Sequence, residues 1–160
     1  MTIRPIREVG DPVLRTPADP VASFDRELAA LIRDLVETVD NPGRAGLAAP
    51  QIGVGLRAFS YNIDGVIGHM VNPTIVELSE ETQDGDEGCL SVPGIWAPTV
   101  RALHAAVEGF DVHGKPLRLE GTGLMARALQ HEVDHLDGKL FLDRLTGEAR
   151  KTALRALRAR

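Results

Sequence analysis

The chain has 160 residues, of which 43% are apolar and 26% carry a charge. These fractions are typical of a folded globular protein, and the length favours one domain, residues 1–160, over two. The formal net charge of −5 argues against a domain that binds DNA directly over its whole surface. We also expect no membrane partner, because no apolar run has the length that a membrane helix or a secretory leader requires.

Cysteine usage indicates the compartment. Cys89 is the single cysteine, so an intrachain disulfide is excluded. A free thiol in a chain without a recognisable leader is typical of a reducing compartment, and we therefore expect a cytoplasmic protein. The same sulfur is available to a metal ion.

The first predicted element is an amphipathic helix. Apolar residues recur at helical spacing from Leu28 to Val39, after two alternative N-caps, Ser23 and Asp25. The stretch 45–53 that follows the helix is rich in small residues and contains a proline. It fits a loop in which the backbone approaches a partner closely.

The middle of the chain predicts antiparallel strands. Alternating and β-branched residues indicate strands at 59–63, 75–78 and 105–112. Residues 112–117 resemble a hairpin connection that leads into a return strand.

The last two predicted elements are helices. An apolar stripe at helical spacing covers 124–136 and stops at Gly138, and a further helix is predicted over 146–158 with Thr146 as its N-cap. The pattern as a whole predicts an α+β fold. Antiparallel sheets are expected to pack around a central helix that carries an HExxH motif, with an N-terminal amphipathic helix and a C-terminal helix.

The HExxH motif, residues 131–135, indicates a metal site. His131 and His135 are four residues apart, so a helix places both imidazoles on one face, where they can bind one ion together. Glu132 lies about 100° round the helix axis from His131. Its carboxylate can take a proton from water beside the ion and return it to a leaving amine. The alternative is a pair of hydrogen-bonded core histidines.

A hydrolytic site needs a third protein ligand and leaves a fourth position for water. Cys89 is the strongest candidate, because a thiolate is a good soft ligand and 87–91 looks like a loop. An inert buried thiol is the alternative. His69, His104 and His113 are weaker candidates, since none has a supporting neighbour.

Three segments resemble the signature motifs of the peptide deformylase family, in the family's order. They are 46–51 (Gly-Leu-Ala-Ala-Pro-Gln), 87–91 (Glu-Gly-Cys-Leu-Ser) and 130–135 (Gln-His-Glu-Val-Asp-His). The likeness extends to 10–15 and 71–73, and so covers nearly the whole chain.

The resemblance implies a metal-dependent hydrolase that removes the N-formyl group from the formyl-methionine of nascent peptides and releases formate. Cys89, His131 and His135 would bind one divalent ion. In this family that ion is usually Fe²⁺, and Zn²⁺, Ni²⁺ or Co²⁺ can replace it. Glu132 would move the proton to the departing nitrogen. The Gln51 side-chain amide and the backbone N–H of Leu90 would stabilise the oxyanion.

The resemblance also suggests substrate contacts. The backbone at Gly46 and Gly88 is suited to pairing with an extended peptide, and Ala45, Arg127 and Ala128 are expected to line the methionine pocket. For Arg127, an exposed helix arginine is the alternative.

A further group of charged residues is expected around the ligands. Glu87, Arg101 and Asp134 are candidates for orienting them, with surface salt bridges as the default interpretation.

One departure from the family pattern lies beside the first motif. The family begins this motif with Gly-aliphatic-Gly, whereas this chain has Arg44-Ala45-Gly46, with a glycine one place earlier at Gly43. If the missing glycine supplied a positive φ, Arg44 would be strained or the loop would take another path. Ala45 also removes volume from the pocket wall, and we expect a looser side-chain preference.

The C-terminal segment 147–160 is basic. Its cations follow Glu148 with no further acid: Arg150, Lys151, Arg155, Arg158 and Arg160. One hypothesis is transient electrostatic contact with the ribosome, which salt should weaken. The other is a solvated helix face whose cations suit the helix C-terminus.

Two rival functions stay open at this stage. HExxH also serves other metal-dependent amidases and peptidases, whose third ligand is His or Glu. A non-catalytic domain with a closed, stabilising metal site is the second rival.

Overall fold

The structure is a computed structural model that describes residues 3–160. Met1 and Thr2, which belong to the predicted domain and to the N-terminal stretch searched for a leader, lie outside the described residues. The helices are α1 (Arg26–Val39), α2 (Gly123–Leu136) and α3 (Gly147–Arg158), and the strands are β1 (Gly46–Ala48), β2 (Ala58–Ile63), β3 (Val66–Leu78), β4 (Thr82–Cys89), β5 (Val92–Ala102), β6 (His104–Phe110) and β7 (Pro116–Thr122). Short 3₁₀ helices cover Pro12–Arg15, Ala49–Ile52 and Phe141–Arg144.

The strands form two sheets. One has five strands in the order β1-β2-β3-β6-β7, and the other is the β4-β5 hairpin. Every pairing between these strands is antiparallel. The predicted α+β class, with antiparallel sheets and three helices, is therefore confirmed.

Strand alternation places α1 and α2 on opposite faces of the larger sheet. Ala58 and its partner Val71 pack in a buried cluster with α1, whereas Phe59 and its partner Met70 pack in a cluster with α2. Successive side chains of a strand point to opposite faces, so one sheet serves two helices. Helix α2 also contacts β5 and therefore touches both sheets.

Helix α1 begins where its sequence predicts. Asp25 is the N-cap, and its carboxylate accepts a hydrogen bond from the backbone N–H of Leu28 at 3.0 Å. This contact selects Asp25 over Ser23. The helix buries one face, including Leu28 and Leu35. Burying one leucine side chain completely stabilises the fold by about 1.5–3 kcal/mol.

The C-terminal elements form a third cluster with the β4-β5 hairpin. Ala153 of α3 is buried there, and Leu157 packs at its edge. Phe141 of the last 3₁₀ helix lies in the same cluster. Helix α3 follows Thr146 as predicted, although among the described residues no hydrogen bond links the Thr146 side chain to the helix start.

Three loop or strand predictions need correction. The 87–91 segment is not a loop, because β4 continues to Cys89 and only two residues turn before β5. Strands β4 and β5 have no counterpart in the sequence prediction, since Gly and acidic residues in β4 disfavour strand formation. The stretch 45–53 contains β1 and a 3₁₀ helix, and β3 is far longer than the predicted 75–78.

Strand β3 contains an irregularity. Asn72 has a φ of +51°, at a register shift in the pairing of β3 with β6.

Among residues 3–160, no helix combines the length and apolarity needed to cross a membrane.

Candidate metal centre

Helix α2 brings the two motif histidines together. The Nε2 atoms of His131 and His135 are 3.1 Å apart, one helical turn from each other. Both side chains are largely buried. The predicted pairing of these imidazoles on one helix face is present.

Cys89 of the β4-β5 hairpin lies beside the two histidines of α2. It ends β4, and its Sγ lies 3.3 Å from His135 Nε2. The ligand atoms of Cys89, His131 and His135 all lie within 4.8 Å of one another. The remaining histidines are elsewhere: His69 accepts the N–H of Val112, and His104 pairs with Glu120.

Glu87 orients the first imidazole. Its Oε2 is 2.6 Å from His131 Nδ1, which directs Nε2 of that ring toward Cys89. Arg101 in turn donates two hydrogen bonds to Glu87, at 2.6 and 3.0 Å. Although burial raises the pKa of Glu87, hydrogen bonds from His131 and Arg101 outweigh it and lower that pKa, so the carboxylate is ionised.

The charges around the ligands form a buried network. Arg101 also donates to Asp134 at 2.7 Å, and Asp134 accepts two further bonds from Arg144. Glu87, Arg101 and Asp134 are each only 4% exposed. The default interpretation of surface salt bridges is therefore wrong, because packing between α2 and the hairpin removes these groups from water.

The pKa values of the two imidazoles move in opposite directions. Burial disfavours protonation of His131, but Cys89 and Glu87 outweigh it and raise the pKa of that ring well above its ordinary value. Burial and the charge on His131 lower the pKa of His135. A neutral His135 in the tautomer protonated at Nδ1 has an Nε2 lone pair available to a metal ion.

Gln51 is held in a fixed orientation. Its Oε1 accepts the backbone N–H of Ala48 at 2.9 Å, which turns the amide nitrogen toward the hairpin. That nitrogen donates to Ser91 Oγ at 3.1 Å and lies 3.7 Å from Cys89 Sγ. The amide therefore borders the three ligands.

Glu132 is a buried carboxylate without a full set of partners. It is 3% exposed, and its Oε1 is sealed from solvent with no hydrogen bond from any described residue. Burial raises the pKa of Glu132 to about 7. A Cβ added at Gly46 would collide with this carboxylate, so the glycine allows β1 to lie directly against it.

The donor set fits a divalent metal ion. The Nε2 atoms of His131 and His135 are 3.1 Å apart, and Cys89 Sγ is 3.3 Å from Nε2 of His135. These two separations are close to the ligand–ligand distances of a tetrahedral metal site with bonds of about 2.0–2.3 Å. The orphaned Oε1 of Glu132 beside these atoms also suits a site whose remaining partner is a water or a substrate.

Two of the three candidate ligands, Cys89 and His131, lie at the wall of a large cavity, and His135 is buried behind them. The cavity has a volume of about 780 Å³, and its lining includes His131, Glu132, Cys89 and Gln51. The predicted substrate-contact residues also line it: Ala45, Gly46, Gly88, Arg127 and Ala128. A cleft of this size accommodates a side chain and part of a peptide.

Comparison with known proteins decides the family. The sequence matches the family model described as polypeptide deformylase over residues 3–151. The chain belongs to the polypeptide deformylase family.

Individual deformylases agree with that assignment. A peptide deformylase of Acidothermus cellulolyticus is 61% identical over 158 residues, which cover 99% of this chain and 87% of that protein. Peptide deformylase 1 of Corynebacterium efficiens is 47% identical over 163 residues, with 99% and 96% covered. The crystal structure of a peptide deformylase from Legionella pneumophila has a TM-score of 0.90 at 43% identity, covering 99% of this chain and 95% of that chain.

The departure from the deformylase pattern at Arg44 causes no backbone strain. Gly43 carries the positive φ, +82°, and Arg44 is not among the described residues with positive φ. Arg44 instead donates a hydrogen bond to the carbonyl of Thr38 at the end of α1. The alternative of a strained Arg44 is therefore excluded.

Arg127 is not an exposed helix arginine. It is 8% exposed, and its Nη1 donates to Glu87 Oε1 and to the carbonyl of Thr99, each at 2.8 Å. The sequence prediction also missed Leu124, Ile95 and the exposed Trp96, which line the deformylase cavity. The position of Leu124 one turn before Ala128 was the available signal.

Proposed function

We propose that this chain is a peptide deformylase that removes the formyl group from the formyl-methionine of nascent peptides and releases formate. The observation that carries the proposal is the convergence of Cys89, His131 and His135 beside a cavity that Cys89 and His131 line. The family assignment and the deformylases among its relatives support the same reaction.

Cys89, His131 and His135 are the proposed metal ligands. When bound, a divalent ion would polarise the formyl carbonyl and acidify water. Fe²⁺ is proposed from the family resemblance, with Zn²⁺, Ni²⁺ or Co²⁺ able to take its place. Glu87 and Arg101 would keep His131 in the orientation that the site requires.

Glu132, Gln51 and Leu90 are the proposed catalytic groups. Glu132 lines the cavity and makes no hydrogen bond through Oε1 to any described residue, so its carboxylate would accept a proton from the attacking water and deliver it to the leaving nitrogen. The Gln51 amide, 3.7 Å from Cys89 Sγ, and the N–H of Leu90, in the turn after Cys89, would donate to a developing oxyanion.

Substrate contacts are proposed along the cavity. Gly46 and Gly88 have no side chains to keep a peptide away from their backbone, and both line the opening. Ala45, Arg127 and Ala128 would surround the side chain of the first residue. An extended peptide beside β1 would add to the sheet edge, since β1 is the outer strand.

The remaining parts of the proposal concern the whole chain. Residues 1–160 would form one catalytic domain around α2 as the central helix, supported by its contacts with both sheets. The substrate would be met in the cytoplasm, where formylated chains are made. The exposed cations of α3 would allow transient contact with the ribosome.

The decisive experiment measures formate release from a formyl-Met peptide by protein loaded with Fe²⁺ or Ni²⁺ without oxygen. We expect turnover by the unaltered chain. Glu132→Gln should abolish turnover and leave metal content unchanged, whereas Cys89→Ser should lose both.

Each rival gives a different result. A stabilising metal site without catalysis predicts bound metal and no formate from the unaltered chain. Another amidase predicts hydrolysis of unformylated peptides in preference to formyl-Met peptides. Full metal content in Cys89→Ser would remove Cys89 from the ligand set.

A further inference from the structure

Arg127 keeps two hydrogen-bonding nitrogens that the protein does not use. Both of its hydrogen bonds, to Glu87 and to the Thr99 carbonyl, come from Nη1. Across residues 3–160, no acceptor pairs with its Nε or Nη2. The sealed and unpaired side-chain atoms in that range are Glu132 Oε1 and His135 Nδ1, so both Arg127 nitrogens have access to open space.

The open space beside Arg127 is the proposed side-chain pocket. Arg127 lines the cavity together with Leu124, Ala128 and Ala45. A Cβ built at Gly85 would lie 3.7 Å from Nη2. Because Gly85 has no side chain, no side chain at this position covers Nη2. The next residue of the strand, Asp86, lines the cavity.

The charge balance also leaves Arg127 incompletely neutralised. Glu87 and Asp134 are shared among three arginines, which are Arg101, Arg127 and Arg144. Arg144 is half-exposed and solvated, and Arg101 is paired on both sides. Arg127 shares its carboxylate partner, Glu87, with Arg101 and His131, so among residues 3–160 it has no acidic partner of its own.

We propose that Arg127 is a specificity-determining residue that donates a hydrogen bond to an acceptor at the end of the substrate's first side chain. The inference rests on the proposed deformylase function. It assigns a preference for side chains of methionine length that end in an acceptor, such as methionine sulfoxide or glutamine, over the isosteric hydrocarbon norleucine. The thioether of methionine, a weak acceptor, falls between them.

The test compares kcat/KM for formyl-methionine sulfoxide and formyl-norleucine peptides within one enzyme preparation. A ratio within one preparation cancels any difference in metal loading. We expect the ratio to exceed 1 in the unaltered chain and to fall about tenfold or more in Arg127→Met, which keeps the apolar stem and removes the guanidinium. Arg118→Met removes an exposed arginine far from the cavity and should leave the ratio unchanged.

Arg127→Met also removes the hydrogen bond from Arg127 to Glu87, so a second variant that keeps this bond is needed. Gly85→Val should cover Nη2, leave the Nη1 bonds intact and lower the same ratio. If both variants keep the ratio of the unaltered chain, the specificity role is excluded. If the unaltered chain cleaves no formyl peptide at all, the proposed function fails instead, and the two failures are thereby distinguished.

Discussion

At the scale of single residues, close approach determines which side chains the site tolerates. Gly46 lies against the Glu132 carboxylate, and a Cβ at Gly88 would fall 2.7 Å from ring carbons of Trp96. Glycine at position 46 leaves room for the buried Glu132 carboxylate, whereas a side chain at position 88 would have to displace the exposed Trp96 ring, and neither glycine has a positive φ. The first two motifs contain these glycines because β1 and β4 pass close to neighbouring side chains.

The first prediction concerns Gly46. Gly46→Ala should push the Glu132 carboxylate away from its present position, and a displacement of about 1 Å at a catalytic group costs about 100-fold in rate. The measurement is kcat/KM for formate release at equal metal content. Gly55→Ala is the control, because a Cβ there meets nothing within 4 Å. Equal kinetics for the two variants would contradict the steric role of Gly46.

Ala45 leads to the second prediction. It lines the cavity and packs beside the α2 cluster, so its small side chain leaves room in the pocket. We expect formyl-Leu and formyl-Phe peptides to be cleaved nearly as well as formyl-Met, and Ala45→Val to sharpen the preference. Comparison of kcat/KM for the three peptides checks this. A strong methionine preference that Ala45→Val does not change would refute it.

At the scale of elements, ion pairs join α2 to the β4-β5 hairpin. Glu87 and Arg101 lie on the hairpin, and Asp134 on α2 connects them to Arg144. The ligands come from the same two elements, since Cys89 ends β4 and both histidines belong to α2. The network therefore fixes the position of Cys89 relative to His131 and His135, the candidate ligands.

Asp134→Asn tests this connection. The change leaves the buried Arg101 with one carboxylate partner, and breaking a buried pair of this kind costs about 3 kcal/mol in the free energy of unfolding. Denaturant unfolding of the metal-free protein measures it. Glu77→Gln, which removes an exposed partner of Arg118, is the control and should cost less than about 1 kcal/mol. A similar small effect for both would show that the network does not stabilise the fold.

A second connection between elements depends on pH. His69 on β3 accepts the N–H of Val112 in the β6-β7 connection. Burial lowers the pKa of His69, Asp111 partly opposes this, and His113 adds to it. The unfolded chain therefore binds a proton more readily, so this contribution is present above pH 6.5 and is lost as pH falls through the lowered pKa.

His69→Gln isolates that contribution. Glutamine keeps an acceptor but does not titrate in this range. We expect the free energy of unfolding of the unaltered chain to fall more steeply below pH 6.5 than that of the variant. Parallel pH profiles for the two proteins would exclude a role for His69.

At the scale of the whole molecule, charge is unevenly distributed. The net charge is −5, yet the exposed face of α3 is basic. Lys151 of α3 lies 3.6 Å from Glu148, and Arg160, which follows the helix, lies 3.4 Å from Glu8. Ala153 and Leu157 anchor the other face of the helix in the third cluster. The basic face is therefore fixed in position on the molecule.

The ribosome hypothesis is tested by charge removal. Deleting α3 would uncover its buried anchor residues, so replacing Arg150, Lys151, Arg155 and Arg158 with Gln is the sharper change. Electrostatic docking predicts cosedimentation with ribosomes at about 50 mM salt, a sharp loss at about 200 mM, and weak binding by the variant. Equal sedimentation of both proteins would favour a solvated helix face.

The sequence by itself determined the local features. Helices α1 and α3 and the HExxH helix were predictable because amphipathic spacing, caps and stops act within a few residues. The approach of His131 to His135 follows from helix geometry alone. Cys89 could be nominated as third ligand from its chemistry, and its motif strengthened that choice.

Only the tertiary structure decided what depends on long-range packing. Strand β4 has poor intrinsic preference and forms because it pairs with β5. Burial of Glu87, Arg101 and Asp134 could not be inferred from residue type, since their contacts join positions up to 44 residues apart. The unpaired nitrogens of Arg127 likewise result from the meeting of α2 with the β4-β5 hairpin, because those contacts use Nη1 and leave Nε and Nη2 without a partner among the described residues.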